Sequence, residues 1–574
     1  MDYLNSAMVL YLTRLLDWDT YLQRRKGPDV DVRAEREALL EVVRTCANIC
    51  ADLEPAARAG WELEAQLVKG EVKLPPHMAK GYEKLREAGL VSFTIAEEYG
   101  GFALPKLVMN LAIQMIGRAD ASLMTVLGLQ AGVANDIELY GSDELKRAYL
   151  PRFASGELWG AMDLTEPHAG SDLGAITTRA YEVNGQSLIE GQKIFITNGG
   201  AQVHLVLARD DASFDKSRGT TEGLSLFLVP RTLPDGKPNA VTVERLESKL
   251  GLHGSPTCVI RLDRAVGYRI AERGRGFKAM LQLMNHARLG VAAQGIGISE
   301  AALHESLAYA AERVQFGKPI GEQPLMKSML ARMVMATEGS RALLYRTCWL
   351  IDRNEATAAY LAREGASISE AERSALQAQM ERDQACVRLL TPLAKYLATE
   401  SCDQVTRMAI QIHGGLGFMK ESAVGRLHLD GIITTIYEGT SEIQVSFALK
   451  EIGRGALDIL FQELRGELQK LTSEPLRSLA ARVEAGIERV TEASAALWRD
   501  INYALLCARP MGESVILLVV ATELLGQAAC DPDRLHLAQG WIDRRMPELE
   551  MLATRIYEGG SERLELCERI IGLV

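Results

Sequence analysis

The stretch "YEVNGQSLIEGQKIFITNGG", Tyr181 to Gly200, decides the fold class. Asn184-Gly185 is a favoured pair for a two-residue turn, because both positions of such a turn need a positive φ. Alternating segments flank it, so Tyr181 to Thr197 reads as a hairpin. Downstream, Val203 to Ala208 and Leu224 to Val229 are short aliphatic or β-branched runs, separated by a polar loop from Asp211 to Glu222. Thr257 to Leu262 has the composition of a further strand. Residues 156–270 therefore form a β domain.

The periodicity on either side is helical. Residues 1–155 carry apolar side chains at three- and four-residue intervals, broken at Gly100-Gly101 and Pro105. Helical spacing returns after Gly276 and lasts to about residue 455. Within it, the charged, Ala-rich Arg353 to Arg382 forms a helical insertion or a long loop. A last helical segment, 456–574, has charged faces and no repeated chemistry, and its amphipathic spacing predicts packing against the preceding helices. The order is α–β–α with a helical appendix.

The totals suit this organisation. The 574 residues predict several domains, and 47% hydrophobic with 24% charged residues is ordinary for a globular chain. A net charge of −11 argues against a general nucleic-acid binder and against broad attraction to anionic membranes. Nine scattered cysteines complete no zinc set, and Cys46 and Cys50 fit core thiols of a reducing compartment. The N-terminus lacks a basic leader region and Val515 to Ala521 is too short to span a bilayer, so the expected setting is cytoplasmic, with no membrane span.

Several strings carry candidate chemistry. "LTEPHAGSD", Leu164 to Asp172, bends at Pro167 and Gly170 and offers the hydroxyls of Thr165 and Ser171. It is either a capped turn or a loop whose N–H groups suit a heterocycle or pyrophosphate. In "GQKIFITNGG", Phe195 and Thr197 share a strand face, which fits a half-buried strand or a surface for a flat ring. "ERVQFGKPIGEQ", Glu312 to Gln323, ends a helix at Gly317, and Arg313 is either solvated or poised for a phosphate. "QIHGGLGF", Gln411 to Phe418, lets a backbone approach a ligand closely beside helix termini. His413 lacks neighbouring ligands in sequence, and no metal site is expected.

A nine-residue string occurs nearly twice: "IYEGTSEIQ", Ile436 to Gln444, and "IYEGGSERL", Ile556 to Leu564. In the first, Ser441 and Gln444 have capping-box spacing, so Glu438 falls in a loop just before a helix. In the second, Leu549, Leu552, Ala553 and Ile556 have helical spacing, so Glu558 closes a helix that Gly559-Gly560 stops. The tail copy reads as structural.

Together and in this order, these strings resemble the acyl-CoA dehydrogenase family over residues 80 to 455. The length, the 351–382 insertion, "LLTPLAKYLA" (Leu389 to Ala398) and the appendix resemble its long bacterial branch, which includes 3-methylmercaptopropionyl-CoA dehydrogenase-like enzymes. The resemblance implies an α+β fold: an N-terminal helical domain (1–155), a middle β-barrel-like domain (156–270), a C-terminal helical bundle (271–455) and an additional helical appendix (456–574).

It also implies FAD at the interface of a homodimer or a dimer of dimers. Leu164, Thr165, Phe195 and Thr197 would line the flavin ring, with Ser171 near the pyrophosphate. Arg313, Gln315 and Phe316, with the loop of Gln411, Gly414 and Gly415, would reach the neighbouring subunit's FAD. Thr440 and Glu442 would lie near the adenosine end. The implied reaction is α,β-dehydrogenation of an acyl-CoA to the trans-2-enoyl-CoA, with electrons passing to electron-transferring flavoprotein. Arg288, Asn285, Ser171, Glu438 and Gly439 would contact substrate.

The family's base stands either at the YEG glutamate or just before an arginine on an earlier helix. In "MNHARLGVAAQGIG", Met284 to Gly297, Arg288 matches that arginine but Ala287 holds the alternative position. Alanine cannot take a proton, and Glu438 remains. Phe195 stands where tryptophan is frequent, Leu429 where arginine is common, and Glu442 where glutamine is common. Within the fold the rival activity is an acyl-CoA oxidase using oxygen. A nucleic-acid-associated flavoprotein would need a basic appendix, whereas this segment mixes both signs.

Overall fold

The computed structural model describes residues 3–498 and 500–573. The chain divides into two compact units. One comprises Val43–Gly290 with Lys420–Ile433; the other comprises Leu4–Val42, Val291–Met419 and the chain from Thr434 onward.

The first unit contains a closed sheet of seven strands: β1 Gly160–Asp163, β2 Arg179–Val183, β3 Gln186–Thr197, β4 Val203–Asp210, β5 Leu224–Pro230, β6 Val241–Leu246 and β7 Thr257–Ile270. The β2–β3 hairpin turns at Asn184 and Gly185, both at positive φ (50° and 79°), as the Asn-Gly pair predicts. One edge of β4 takes β1 and then β2, both parallel, while its other edge takes β5 antiparallel. β3 and β5 both pair with β7, which closes the ring, and β6 adds to the first half of β7. The sheet is therefore barrel-like.

β4 and β5 are buried on both faces, which is why they read as unbroken apolar runs rather than alternating ones. Val206, Phe227 and Val229 face a core with Ile189 and Ile260. Leu205, Leu207, Leu226 and Leu228 pack against Val133, Ile137, Leu150 and Phe153. Two strands escape sequence reading. β1 is four residues long, and a register shift between Val243 and Arg245 breaks the alternation of β6. The N-terminal region is not purely helical: Gln66–Val68 pairs with Glu71–Lys73, strands too short to leave a period.

In the second unit, helix α2 (Pro324–Glu364) and helix α3 (Glu370–His413) form a long hairpin, numbered after α1 (Ala121–Tyr140) of the first unit. The charged stretch Arg353 to Arg382 is its tip, helical on both sides of a short connection, and Arg353 clasps Asp383 at 2.9 and 2.5 Å. The helix from Gly276 ends at Glu312, not at Gly317. Val314-Gln315 then pairs with Lys318-Pro319 around a turn in which Phe316 and Gly317 take positive φ.

Helix α4 (Ser441–Ile452) leads to the appendix, whose main helices are α5 (Ala508–Cys530) and α6 (Leu535–Tyr557). The appendix packs on the bundle, as its amphipathic spacing predicts. Arg346 of α2 reaches Glu467 at 2.7 Å and Glu523 at 3.1 Å, and Tyr11 donates to Glu523 at 2.6 Å. α5 is long and apolar enough to cross a membrane, and 72% of its most apolar stretch is buried within the protein.

Asp136 of α1 is a cost within the first core. Its side chain is fully buried, and neither oxygen meets a hydrogen-bond partner among the described residues. Burial alone pushes its pKa up to about 8. The folded protein thus keeps the proton to about pH 8, while the unfolded chain releases it near pH 4. Stability from this group therefore falls as pH rises between those values and levels off above them. Asp136→Leu, which replaces the carboxyl by an apolar group of similar size, should stabilise the protein at pH 8 by a few kcal/mol on that linkage. Urea unfolding at pH 5 and pH 8 should show the gain shrinking toward the lower pH.

Candidate active site

In the first unit, Leu164 and Thr165 follow β1 and enter a tight turn closed by paired hydrogen bonds between Glu166 and Ala169. Two bonds tie this segment to β3. The Ile194 N–H donates to the Thr165 carbonyl at 2.9 Å, and the buried Lys193 ammonium donates to the Leu164 carbonyl at 2.8 Å. Lys193 also pairs with Glu166 at 2.9 Å, with both side chains out of solvent. Burial alone would raise the Glu166 pKa. The Lys193 charge, together with donors from Thr177 and Thr178, outweighs that and holds it at about 2.

Opposite Thr165 the strand bulges. The β3–β7 register shifts between Lys193 and Ile196, and Phe195 takes φ +57°. That backbone costs a non-glycine residue about 1 kcal/mol and turns the ring outward, 61% exposed. Thr197, half-buried, comes two residues later on the same strand. A large exposed ring on a rigid strand, beside the Thr165 segment, fits the face of a flat heterocycle such as a flavin. Ser171 is exposed on the loop beyond the turn, and Asp172 next to it accepts the Gly174 N–H. Arg288 is buried and donates to Asn285 at 2.7 Å, one turn earlier on the same helix.

In the second unit, Glu438 sits at φ +56° and Gly439 at φ +94°. Two consecutive left-handed residues need external restraint, and both carbonyls receive it. The Gln444 side-chain amide donates to the Glu438 and Gly439 oxygens at 2.9 Å each, and the buried Lys395 ammonium donates to the Gly439 oxygen at 2.8 Å. Before the loop, Tyr437 donates its hydroxyl to Gln294. Burial, and then the neighbouring Glu438 charge, raises its pKa well above the usual tyrosine range. At φ +94° any L side chain is strained at Gly439, and a Cβ there would stand 2.6 Å from the Gln444 nitrogen and push the clamp aside.

The expected capping box is not formed. Thr440 is the N-cap of α4, Ser441 donates instead to Glu400 at 2.6 Å, and Gln444 reaches back to the loop carbonyls. A capping box would have used the Gln444 side-chain oxygen to accept the N-cap N–H; the side chain is instead turned so that its amide N–H groups donate to the 438 and 439 carbonyls. The tail copy closes a helix, as its spacing predicts: α6 ends at Tyr557, and Glu558 is exposed at the helix end.

Arg313, Gln315 and Phe316 are exposed on the small hairpin after residue 312, Phe316 by 95%. Gln411 lies in the last turn of α3, and Gly414 (φ +60°) and Gly415 come next, with open space where a Cβ would stand. This loop adjoins a helix C-terminus, so it offers room rather than a helix N-terminal field. His413 is committed elsewhere: its Nδ1 donates to the Ala409 carbonyl at 2.8 Å and its ring stacks on Tyr309 at 4.3 Å.

Models of the acyl-CoA dehydrogenase N-terminal, middle and C-terminal domains match residues 34–157, 161–265 and 274–453. The 3-methylmercaptopropionyl-CoA dehydrogenase of Ruegeria pomeroyi is 33% identical over 519 residues, 87% of this chain and 84% of that one. An acyl-CoA dehydrogenase of Bacillus subtilis is 36% identical over 63% of this chain and 86% of its own. The chain belongs to the acyl-CoA dehydrogenase family. It is thereby placed among oxidoreductases that act on acyl-CoA thioesters. Butyryl-CoA dehydrogenase from Megasphaera elsdenii has a TM-score of 0.58 at 28% identity, covering 71% of this chain and 96% of that one. An acyl-CoA dehydrogenase from Bacillus anthracis, complexed with FAD, has a TM-score of 0.74 over 97% of this chain and 94% of its own. At 23% identity that likeness concerns the fold alone.

Sequence reasoning missed the groups that hold these acyl-CoA dehydrogenase motifs in place: Glu166, Lys193, Lys395 and the clamping role of Gln444. One signal was present. Lys193 shares the inward strand register of Ile189, where a charge demands a buried partner. Lys193→Met would leave Glu166 buried and unpaired, and should cost roughly 3–5 kcal/mol in urea unfolding. Combining it with Glu166→Gln should cost less than the sum of the two single changes.

Proposed function

We propose that the protein dehydrogenates an acyl-CoA thioester between Cα and Cβ, with Glu438 as the base that takes the α-proton. The observation that carries this reading is the restrained loop. Glu438 is held in a left-handed conformation by Gln444 and Lys395, whereas its tail counterpart merely closes a helix. Strained, over-determined backbone of this kind concentrates at functional sites.

Bound FAD supplies the acceptor for the β-hydride. The exposed Phe195 ring with Leu164, Thr165 and Thr197 would hold its flavin, and Ser171 would lie near its pyrophosphate. The α-proton of a thioester is too weakly acidic for a free carboxylate, so the developing enolate needs a donor at its oxygen. The Glu438 backbone N–H would take that role, at the entry to the turn whose two following carbonyls are clamped. Arg288 and Asn285 would contact the CoA moiety, and Gly439 lets the thioester approach the main chain. The resemblance supports electron-transferring flavoprotein as the electron acceptor and a homodimer or dimer of dimers as the assembly. Exposed Val314, Phe316, Leu416 and Phe418 suit such self-association. Arg313, Gln315, Gln411, Gly414 and Gly415 would then reach the neighbouring subunit's cofactor, with Thr440 and Glu442 toward its adenosine end.

Anaerobic mixing of FAD-loaded protein with short, medium, long, branched, aryl and methylthio acyl-CoAs tests this. Wild type should bleach the flavin with some member of the panel. Glu438→Gln should bleach about 10²–10⁴-fold more slowly, the usual worth of a general base. Equal bleaching by both would move the base elsewhere, and no bleaching by either would overturn the activity. Rapid turnover in air without a protein acceptor would favour the oxidase. Gly439→Ala should lose a large part of the wild-type rate, because its Cβ must displace the Gln444 clamp.

A further inference from the structure

One side chain of the appendix forms a polar junction with the start of α4, directly after the Glu438 loop. Arg509, the second residue of α5, offers Nη1 to Glu442 at 3.1 Å, Nη2 to Glu400 at 3.0 Å and Nε to Glu513 at 3.2 Å. Its guanidinium stands 5.5 Å from the centre of the Tyr396 ring. Each partner leads back to the loop or its support. The other Glu400 oxygen accepts the Ser441 hydroxyl at 2.6 Å. Tyr396 donates to Glu513 at 2.6 Å, and its neighbour Lys395 holds the Gly439 carbonyl. Arg509, Tyr396, Glu400 and Glu513 also wall a cavity of about 520 Å³ that Gln411 lines. Residues 439, 441 and 442 are thus anchored to α3 and α5 together.

Exposed ion pairs taken singly hold little. A planar fork engaged on three carboxylates and placed over an aromatic ring at cation–π distance is a different object, because its donors are spent in fixed directions. Without Arg509 three carboxylates would crowd one corner, with Glu442 66% exposed at the start of α4. We infer that Arg509 is a positioning residue: it neutralises Glu442 and fixes the start of α4, so that the appendix sets the geometry of the Glu438 loop. The inference rests on the proposed function, in which Glu442 faces the adenosine end of FAD. An unpaired carboxylate there would repel the cofactor's diphosphate, and Arg509 cancels it. This chain can therefore carry a glutamate at position 442.

The test uses the full-length, FAD-loaded protein as wild type, Arg509→Ala and Arg509→Ala/Glu442→Gln. Two readouts are measured: anaerobic flavin bleaching by an acyl-CoA that wild type oxidises, and FAD affinity from the fluorescence of released flavin. Arg509→Ala should slow bleaching about tenfold through misplacement of the base. It should also weaken FAD binding several-fold. Adding Glu442→Gln, which removes the uncompensated charge, should restore most of the affinity and part of the rate. A merely stabilising salt bridge would lower the unfolding temperature, leave both readouts unchanged well below that temperature and overturn the inference. Losses that Glu442→Gln does not relieve would overturn it too. Failure of wild type itself to bleach would strike the proposed activity, and the affinity arm would still decide the role of Arg509.

Discussion

The Lys193 ammonium lies inside the first unit with no access to water, and its position constrains everything around it. It can stay charged there only by meeting acceptors on each accessible side. Glu166 and the Leu164 carbonyl provide them. Because both acceptors lie on the segment after β1, satisfying the lysine fixes that segment against β3. Thr165 is then set beside the bulge that turns Phe195 outward. A buried pair of this kind adds little net stability over an apolar pair of the same shape. What it supplies is a single register between two pieces of chain that side-chain packing alone would let slide.

The same device recurs in the second unit with different neighbours. Lys395, equally buried, donates to the Gly439 carbonyl at 2.8 Å, just as Lys193 donates to that of Leu164. In each case a cation from a regular element captures a main-chain oxygen of an irregular loop. A carbonyl is a sensible target, because the loop then needs no particular side chain at the captured position. Gly439 can remain glycine for close approach, and Leu164 can remain apolar, while each is still held. Irregular loops are usually the softer parts of a fold, and these two are stiffened from below.

The order of helical and strand regions was legible because hydrophobic period is a local property of the chain. The Asn184-Gly185 turn and the doubly buried β4 and β5 could be read directly. β1, β6 and the 66–73 hairpin could not, being too short or too bulged to display a period. Individual motif residues were legible in the same local sense. Their supports were not, because Lys193 with Glu166, and Lys395 with Gly439, are separated widely in sequence and meet only through the fold. The misread capping box has the same cause. Spacing shows that Ser441 and Gln444 can reach each other's backbone; it does not show that Glu400 and two strained carbonyls compete for them.

The repeated string makes the point sharply. Tyr-Glu-Gly occurs at 437–439 and again at 557–559, with the same leading isoleucine, yet only the first is wound into a left-handed turn. The tripeptide cannot be the cause, since it is common to both. The difference lies in the residues downstream and in the helix beneath. Gln444 stands six residues after Glu438 and folds back onto it, while the equivalent tail position, Leu564, has no hydrogen-bonding group to offer. Lys395 adds a second hold from α3. With those acceptors claimed, the strained turn is the lower-energy state; in the tail copy the chain simply completes a helix with Glu558 in solvent. The backbone geometry at Glu438 thus depends less on the glutamate than on two donors, Gln444 and Lys395, that hold main-chain oxygens of the turn.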